Sequence, residues 1–182
     1  MRKVIYGGAT SLDGFLAGPG ESLDWLKWSQ DAAAISRASF EGVDAMLMGR
    51  KTFELAWAKG GGPPVTAVTT YVFSRTLERL PEGATGELVR SDAVAFVRQM
   101  KAAEGGNILV MGGGELGTAL VEAGLVDELG FSIHPVLLGG GVPALCPMTR
   151  RVELELLEAR AIAQGCVLVR YRVVNGDSTS AA

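Results

Sequence analysis

Apolar runs of strand length alternate with stretches of helical spacing through the first two-thirds of this 182-residue chain, and that alternation restricts the fold more than any other feature. Residues 4–9 read as a strand. Ser22 fits the N-cap of a helix over residues 23–40, in which Trp25, Trp28, Ala32, Ile35 and Phe40 recur at near-helical spacing. Residues 43–48 read as a buried strand, 51–58 as a helix, and 60–64 as a Gly/Pro loop. A Val/Thr/Tyr-rich strand follows at 65–73, then a very short strand at 88–89 and a helix over 92–103 capped by Ser91. A strand at 107–111, a helix at 115–123 and a strand at 127–133, stopped by Pro135, complete this part. The end differs: residues 152–163 and 166–174 flank Gln164-Gly165 as an antiparallel hairpin.

Strands alternating with helices imply a parallel sheet covered on both faces, and the hairpin adds an antiparallel edge. The expected fold class is α/β: a three-layer α/β/α sandwich on a mixed, mostly parallel sheet. Neither a repeat nor a linker interrupts it, so residues 1–175 read as one domain and 176–182 as a disordered tail.

About half of the residues are apolar and a fifth are charged, which is globular composition. A net charge of −3 without a basic run gives no footprint for nucleic acid. Cys146, Cys166 and the single His134 fit no metal spacing, so no metal site is expected and the cysteines read as free thiols. The N-terminus lacks the apolar core of a signal peptide, and no run approaches the roughly 20 apolar residues of a membrane span. The expectation is a cytoplasmic protein with no membrane partner.

Two glycine-marked strand-to-helix junctions carry the chemistry. Gly49-Arg50-Lys51-Thr52 follows an apolar strand and opens a helix, whose unpaired N–H groups and positive dipole end attract an anion. A capped helix with two solvated cations describes the same letters. Gly112-Gly113-Gly114-Glu115-Leu116-Gly117 satisfies G-x-G-x-x-G, a pattern that lets backbone approach a pyrophosphate. It lies in the second half of the chain and lacks a ribose-binding acid about 20 residues on, so it points to phosphate or ribose contact within another α/β topology. Ser74 and Arg75 end a strand, where a hydroxyl and a guanidinium can hold a 2′-phosphate, or form an ordinary turn. Ser11-Leu12-Asp13-Gly14 is a loop able to close over a ligand, or an Asp-Gly turn. The aromatics Trp25, Trp28, Phe53 and Trp57 read as core more readily than as binding wall. His134 reads as a strand-end residue, and Gly139-Gly140-Gly141 as a flexible turn or an anion nest.

Together these motifs resemble the dihydrofolate-reductase-like superfamily, in its RibD C-terminal (riboflavin-biosynthesis reductase) branch. The matching stretches are SLDGFLAG at 11–18, MGRKTFE at 48–54, VFSRTL at 72–77, VMGGGELGTALVEAGLVDEL at 110–129 and IHPVLLGGGVPAL at 133–145. The resemblance implies NADPH lying across the carboxyl ends of the strands. Ala9 would meet the nicotinamide amide, Gly49 to Thr52 the phosphates, Ser74 and Arg75 the 2′-phosphate, and Gly112, Gly113, Gly114, Glu115 and Leu116 the pyrophosphate. Asp13, Trp25 and Phe53 would lie towards the substrate, with Asp13 or Asp24 as candidate proton donors. The implied activity is hydride transfer to a heterocyclic or ribosylated small molecule. The leading substrate is 5-amino-6-(5-phosphoribosylamino)uracil, and dihydrofolate is the runner-up. A nucleotide-binding protein without turnover is the alternative, and the resemblance also implies a homodimer.

Overall fold

The computed structural model describes residues 1–58 and 68–174. An eight-stranded sheet runs through it in the order β5-β4-β3-β6-β1-β7-β10-β9. The strands are β1 (Val4–Ser11), β3 (Val43–Gly49), β4 (Thr69–Phe73), β5 (Glu87–Val89), β6 (Asn107–Met111), β7 (Glu128–His134), β9 (Glu153–Ile162) and β10 (Cys166–Val174). The helices are α1 (Gln30–Ala38), α2 (Arg50–Ala58), α3 (Ala93–Ala102) and α4 (Gly114–Glu122). The six strands from β5 to β7 are parallel, while β10 is antiparallel to both β7 and β9. The mixed sheet and its terminal hairpin are as the sequence implies. The antiparallel pairing excludes an all-parallel dinucleotide-binding fold.

Period-two alternation sorts the strand side chains into two cores. On one face Tyr6, Ala45, Leu47, Ile108 and Val110 pack with Val97 of α3 and Leu120 and Val121 of α4. On the other, Met46, Met48, Val72 and Leu109 pack with Phe53 of α2 and Phe40 just beyond α1. Ile35 of α1 lies over Ile162, Cys166 and Leu168. Strands buried on both faces are continuous apolar runs, and so Ala45-Met46-Leu47-Met48 could be read directly.

Two expectations are corrected, and one element is new. The first helix starts after Ser29, whose side chain accepts from the Ala32 N–H at 3.1 Å, and not after Ser22. Trp25 and Trp28 therefore precede α1. The cap of α3 is Asp92, which accepts from the Ala95 N–H at 2.8 Å, in place of Ser91. A small antiparallel pair, β2 (Phe15–Ala17) with β8 (Val142–Pro143), joins the loop after β1 to the segment after β7. Nothing in the local sequence signals it. The loop at 60–64, the first residues of the 65–73 strand and the tail at 176–182 lie outside the described residues.

Candidate functional site

β3 and β6 are neighbours, yet their connections leave in opposite directions: β3 leads through α2 to β4, and β6 leads through α4 across β1 to β7. Divergence of this kind opens a crevice at the carboxyl ends of the strands. Both glycine-marked junctions open onto it. A Cβ built on Gly113 would lie 3.9 Å from the Gly49 backbone nitrogen, so the two helix starts face each other. No side-chain hydrogen bond caps α4, whose N-cap is Gly113 at φ 67°. The first N–H groups of α4 are thus left for a ligand or solvent.

The glycines of the second junction do different work. Gly112, at φ 61°, touches the first junction: a Cβ there would overlap Thr52 Oγ1 and lie 2.8 Å from Thr52 Cγ2. Gly114 abuts the Pro143 backbone, with Pro143 C 3.1 Å from the Cβ position. Gly117 lies flat on the ring of Tyr6, with Tyr6 Cε2 2.8 Å from the Cβ position. Gly114 and Gly117 are therefore packing glycines, and Gly112 and Gly113 shape the groove. Leu116 is part-buried against the core, so only its backbone is offered to the groove, and Glu115 is exposed in the first turn of α4.

The third motif joins the first two. Gly49 pairs with Phe73, so Ser74 leaves the sheet at the adjacent strand end. Arg50 reaches across to it: Nη1 donates to Thr76 Oγ1 at 3.2 Å, while Nε donates to Glu54 Oε1 at 2.7 Å. Ser74 Oγ accepts from the N–H groups of Thr76 and Leu77 at 3.3 and 2.9 Å, which tightens the turn and leaves the hydroxyl proton free to donate. Arg75 is exposed and has no hydrogen bond or ion pair among the described residues. Lys51 by contrast donates to Glu21 Oε1 at 2.8 Å, and this bond and the Glu21 charge hold the Lys51 ammonium above its ordinary pKa.

β1 supplies a bare stretch of backbone. Its pairing with β6 ends at Gly7↔Met111, whereas its pairing with β7 continues to Ser11↔His134. The Ile108 N–H donates to Lys3 O and the Asp127 N–H to Val4 O, so odd-numbered residues of β1 turn their backbone towards β6. The N–H and C=O of Ala9 consequently point past the end of β6, into the groove.

The candidates for substrate and proton chemistry separate. Asp13 accepts from the Leu138 N–H at 3.1 Å and the Gly139 N–H at 2.7 Å. The Ser11 hydroxyl and the Gly139 and Leu138 N–H groups hold its carboxyl below the usual carboxylate range. A carboxylate so held accepts hydrogen bonds and is ill suited to donate a proton. Asp24 is exposed in the segment before α1 and hydrogen-bonded to the Ser22 hydroxyl. Phe53 is 6% exposed and stacks on Trp57 within the α2 core, so its ring is not offered to a substrate. Trp25 packs edge-on against His134 at 5.2 Å between ring centroids, and the Lys27 N–H donates to His134 Nδ1 at 3.3 Å. Burial, and secondarily Lys27, lowers the His134 pKa. His134 therefore anchors the segment before α1 onto the end of β7, a role that a lone histidine before a proline did not reveal. Among the described residues no group of three or more His, Cys, Asp or Glu side chains is arranged for a metal.

This topology and groove define an α/β protein of the dihydrofolate-reductase-like fold. More closely, the chain belongs to the RibD C-terminal domain family, which it matches over residues 2–168. It is 31% identical to the uncharacterized protein YyaP of Bacillus subtilis, over 94% of this chain and 95% of that one. Among solved structures it resembles a protein of Shewanella sp. PV-4 described under riboflavin biosynthesis, with TM-score 0.84 and 24% identity over 94% of this chain and 98% of that one. Dihydrofolate reductase from Enterococcus faecalis, complexed with NADP(H), superposes with TM-score 0.67 and 16% identity over 95% and 97% of the two chains. A deaminase/5-amino-6-(5-phosphoribosylamino)uracil reductase from Thermotoga maritima gives TM-score 0.68 and 15% identity over 94% of this chain and 56% of that one.

Proposed function

We propose that the chain is an NADPH-dependent reductase acting on a heterocyclic or ribosylated small molecule. The observation that carries this reading is the meeting of two helix starts, Gly49–Arg50 and Gly113–Gly114, beside the Arg75 guanidinium, which has no partner among the described residues. Two sets of N–H groups suit a pyrophosphate, and a free guanidinium at the next strand end suits a further phosphate. In this reading Gly49, Thr52 and the backbone from Gly112 to Leu116 hold the pyrophosphate, and Ser74 and Arg75 hold the 2′-phosphate. Arg50 and Lys51 add positive charge behind them. The Ala9 backbone offers one donor and one acceptor, which match a carboxamide.

When bound, the nicotinamide supplies the hydride. The chain orients the two reactants and excludes water from between them. The substrate lies beyond Ala9, towards Trp25 and the segment before α1. The Asp13 carboxylate is engaged as an acceptor of the Leu138 and Gly139 N–H groups, so the proton comes from water or from Asp24. Substrates to test first are 5-amino-6-(5-phosphoribosylamino)uracil, followed by dihydrofolate. The reducing cytoplasm is the proposed compartment, in keeping with two free cysteines.

The test is NADPH titration followed by NADPH oxidation with pyrimidine and pterin substrates. Tight NADPH binding with turnover of one substrate supports the reading. Tight binding without turnover across the panel would favour a nucleotide-binding protein, and binding of neither NADPH nor NADH would remove the reading altogether.

A further inference from the structure

Glu21 stands in a backbone conformation that side chains rarely adopt. Its φ is 61°, in the left-handed region, directly after Gly20 at 67°. Among the described residues Gln164 is the only other non-glycine so placed. The turn that holds Glu21 is fixed on both sides. The Gly18 N–H donates to Ser22 O at 2.9 Å and closes it, and Pro19 stiffens it. Trp25 Nε1 donates to the same Ser22 carbonyl at 3.2 Å, while β2, just ahead, is paired with β8. A glycine would occupy this position without strain. What the glutamate adds is its carboxylate.

That carboxylate reaches the cofactor groove. Oε1 accepts from Lys51 Nζ at 2.8 Å. Lys51 lies in the first turn of α2, and its ammonium also feels Glu115 in the first turn of α4, so it stands between the two helix starts. The pair is open to solution, with the Lys51 and Glu21 side chains 79% and 44% exposed. Arg50 is engaged by Glu54 in the same way, but that partner lies one turn along its own helix. Glu21 comes from a different element, the segment between β2 and α1, and is carried to the groove by the strained turn.

We propose that Glu21 is a built-in counter-anion of the groove, which the pyrophosphate of a nucleotide displaces from Lys51. The inference rests on the reading of the two helix starts as a pyrophosphate cradle. Exposed ion pairs are weak, so Lys51 is readily won from a single carboxylate. A pyrophosphate carries two charges and also takes the N–H groups left open at the start of α4, which Glu21 does not satisfy. A neutral or cationic ligand gains nothing by breaking the pair. The free energy that holds Lys51 on Glu21 in the empty protein is subtracted from the affinity for the phosphates. Glu21 thus sets how tightly the groove takes any nucleotide, whereas Arg75 distinguishes one nucleotide from another.

Calorimetric titration of the full chain with inorganic pyrophosphate, NADPH and NADH tests this, using Glu21→Gln, Lys51→Gln and the double variant. Glu21→Gln should bind all three ligands about two- to fivefold more tightly, the range that exposed ion pairs span. With Lys51→Gln already in place, the same change should do nothing. Glu21→Gly, which suits the backbone, should repeat the gain and guards against a misfolded Glu21→Gln. Weaker binding by Glu21→Gln would show that Glu21 positions Lys51 for the phosphates, and overturns the proposal. So does an equal gain with and without Lys51, which would be a general effect of net charge. If NADPH and NADH do not bind, but pyrophosphate does and is tightened by Glu21→Gln, the reductase reading falls and the counter-anion stands. Pyrophosphate bound by neither the unaltered chain nor the Glu21 variants overturns it.

Discussion

Gly112 and Thr52, sixty residues apart, are in contact across the floor of the crevice: a side chain on Gly112 has nowhere to go but into the Thr52 hydroxyl and methyl. The contact makes one groove of two junctions that are unrelated in sequence. Gly112→Ala adds this overlap to the cost of φ 61° and should destabilise the fold by about 2 kcal/mol. Adding Thr52→Ala removes the two nearest atoms, so the double variant should recover part of the loss. Urea unfolding of the four proteins measures the coupling, and strictly additive losses would show that the contact carries no energy.

Among the described residues Arg75 is the one cation of the proposed cofactor set whose charge is unengaged, whereas Arg50 and Lys51 already face Glu54 and Glu21. Arg75→Ala should therefore weaken NADPH by roughly 10- to 100-fold, the worth of a charge-assisted hydrogen bond to phosphate. NADH, lacking that phosphate, should change little. Fluorescence titration of both nucleotides is the measurement, and equal losses would remove Arg75 from the 2′-phosphate.

His134 makes stability depend on acidity. Its folded pKa lies below the ordinary value of 6.5, so the unfolded chain takes up a proton first as pH falls. Stability from this group is complete above about pH 6.5 and declines below it, until the folded histidine is protonated as well. Depressed carboxyls such as Asp13 and Glu128 lose their contribution only at lower pH, below the ordinary values of 3.8 and 4.5. His134→Gln should flatten the upper part of the acid limb in a series of denaturant midpoints, and an unaltered limb would place the titration elsewhere.

How much of this could be read beforehand follows from what each element depends on. The central strands were legible because burial on both faces writes an unbroken apolar run. The junctions at Gly49 and Gly112 were legible because the glycines stand where strand turns to helix. The start of α1 was not. Trp25 and Trp28 mimic helical spacing, but Trp25 is placed by a ring contact with His134, over a hundred residues away. The β2–β8 pair has the same difficulty, being three residues against two, joined only by the fold. The bare backbone of Ala9 could not be seen from residue identities at all, since it follows from β6 ending before β1 does.

The last prediction separates the glycines that the G-x-G-x-x-G pattern treats alike. Gly117 rests on the fully buried ring of Tyr6, whose hydroxyl donates to the Ala144 carbonyl, so the ring has little room to retreat. Gly117→Ala should cost about 3 kcal/mol or more in stability, while the fraction that folds binds NADPH with unchanged affinity. A Cβ at Gly113 would make only ordinary van der Waals contact, with the nearest atom 3.6 Å away, and the position faces the groove. Gly113→Phe should cost only about 1–2 kcal/mol, for its φ of 67°, yet abolish NADPH binding by filling the space above the helix starts. Denaturant midpoints and NADPH titrations of the two variants give the comparison. A Gly117 variant that is stable but cannot bind, or a Gly113 variant that binds normally, would reverse the division between packing and groove glycines on which the proposed site is built.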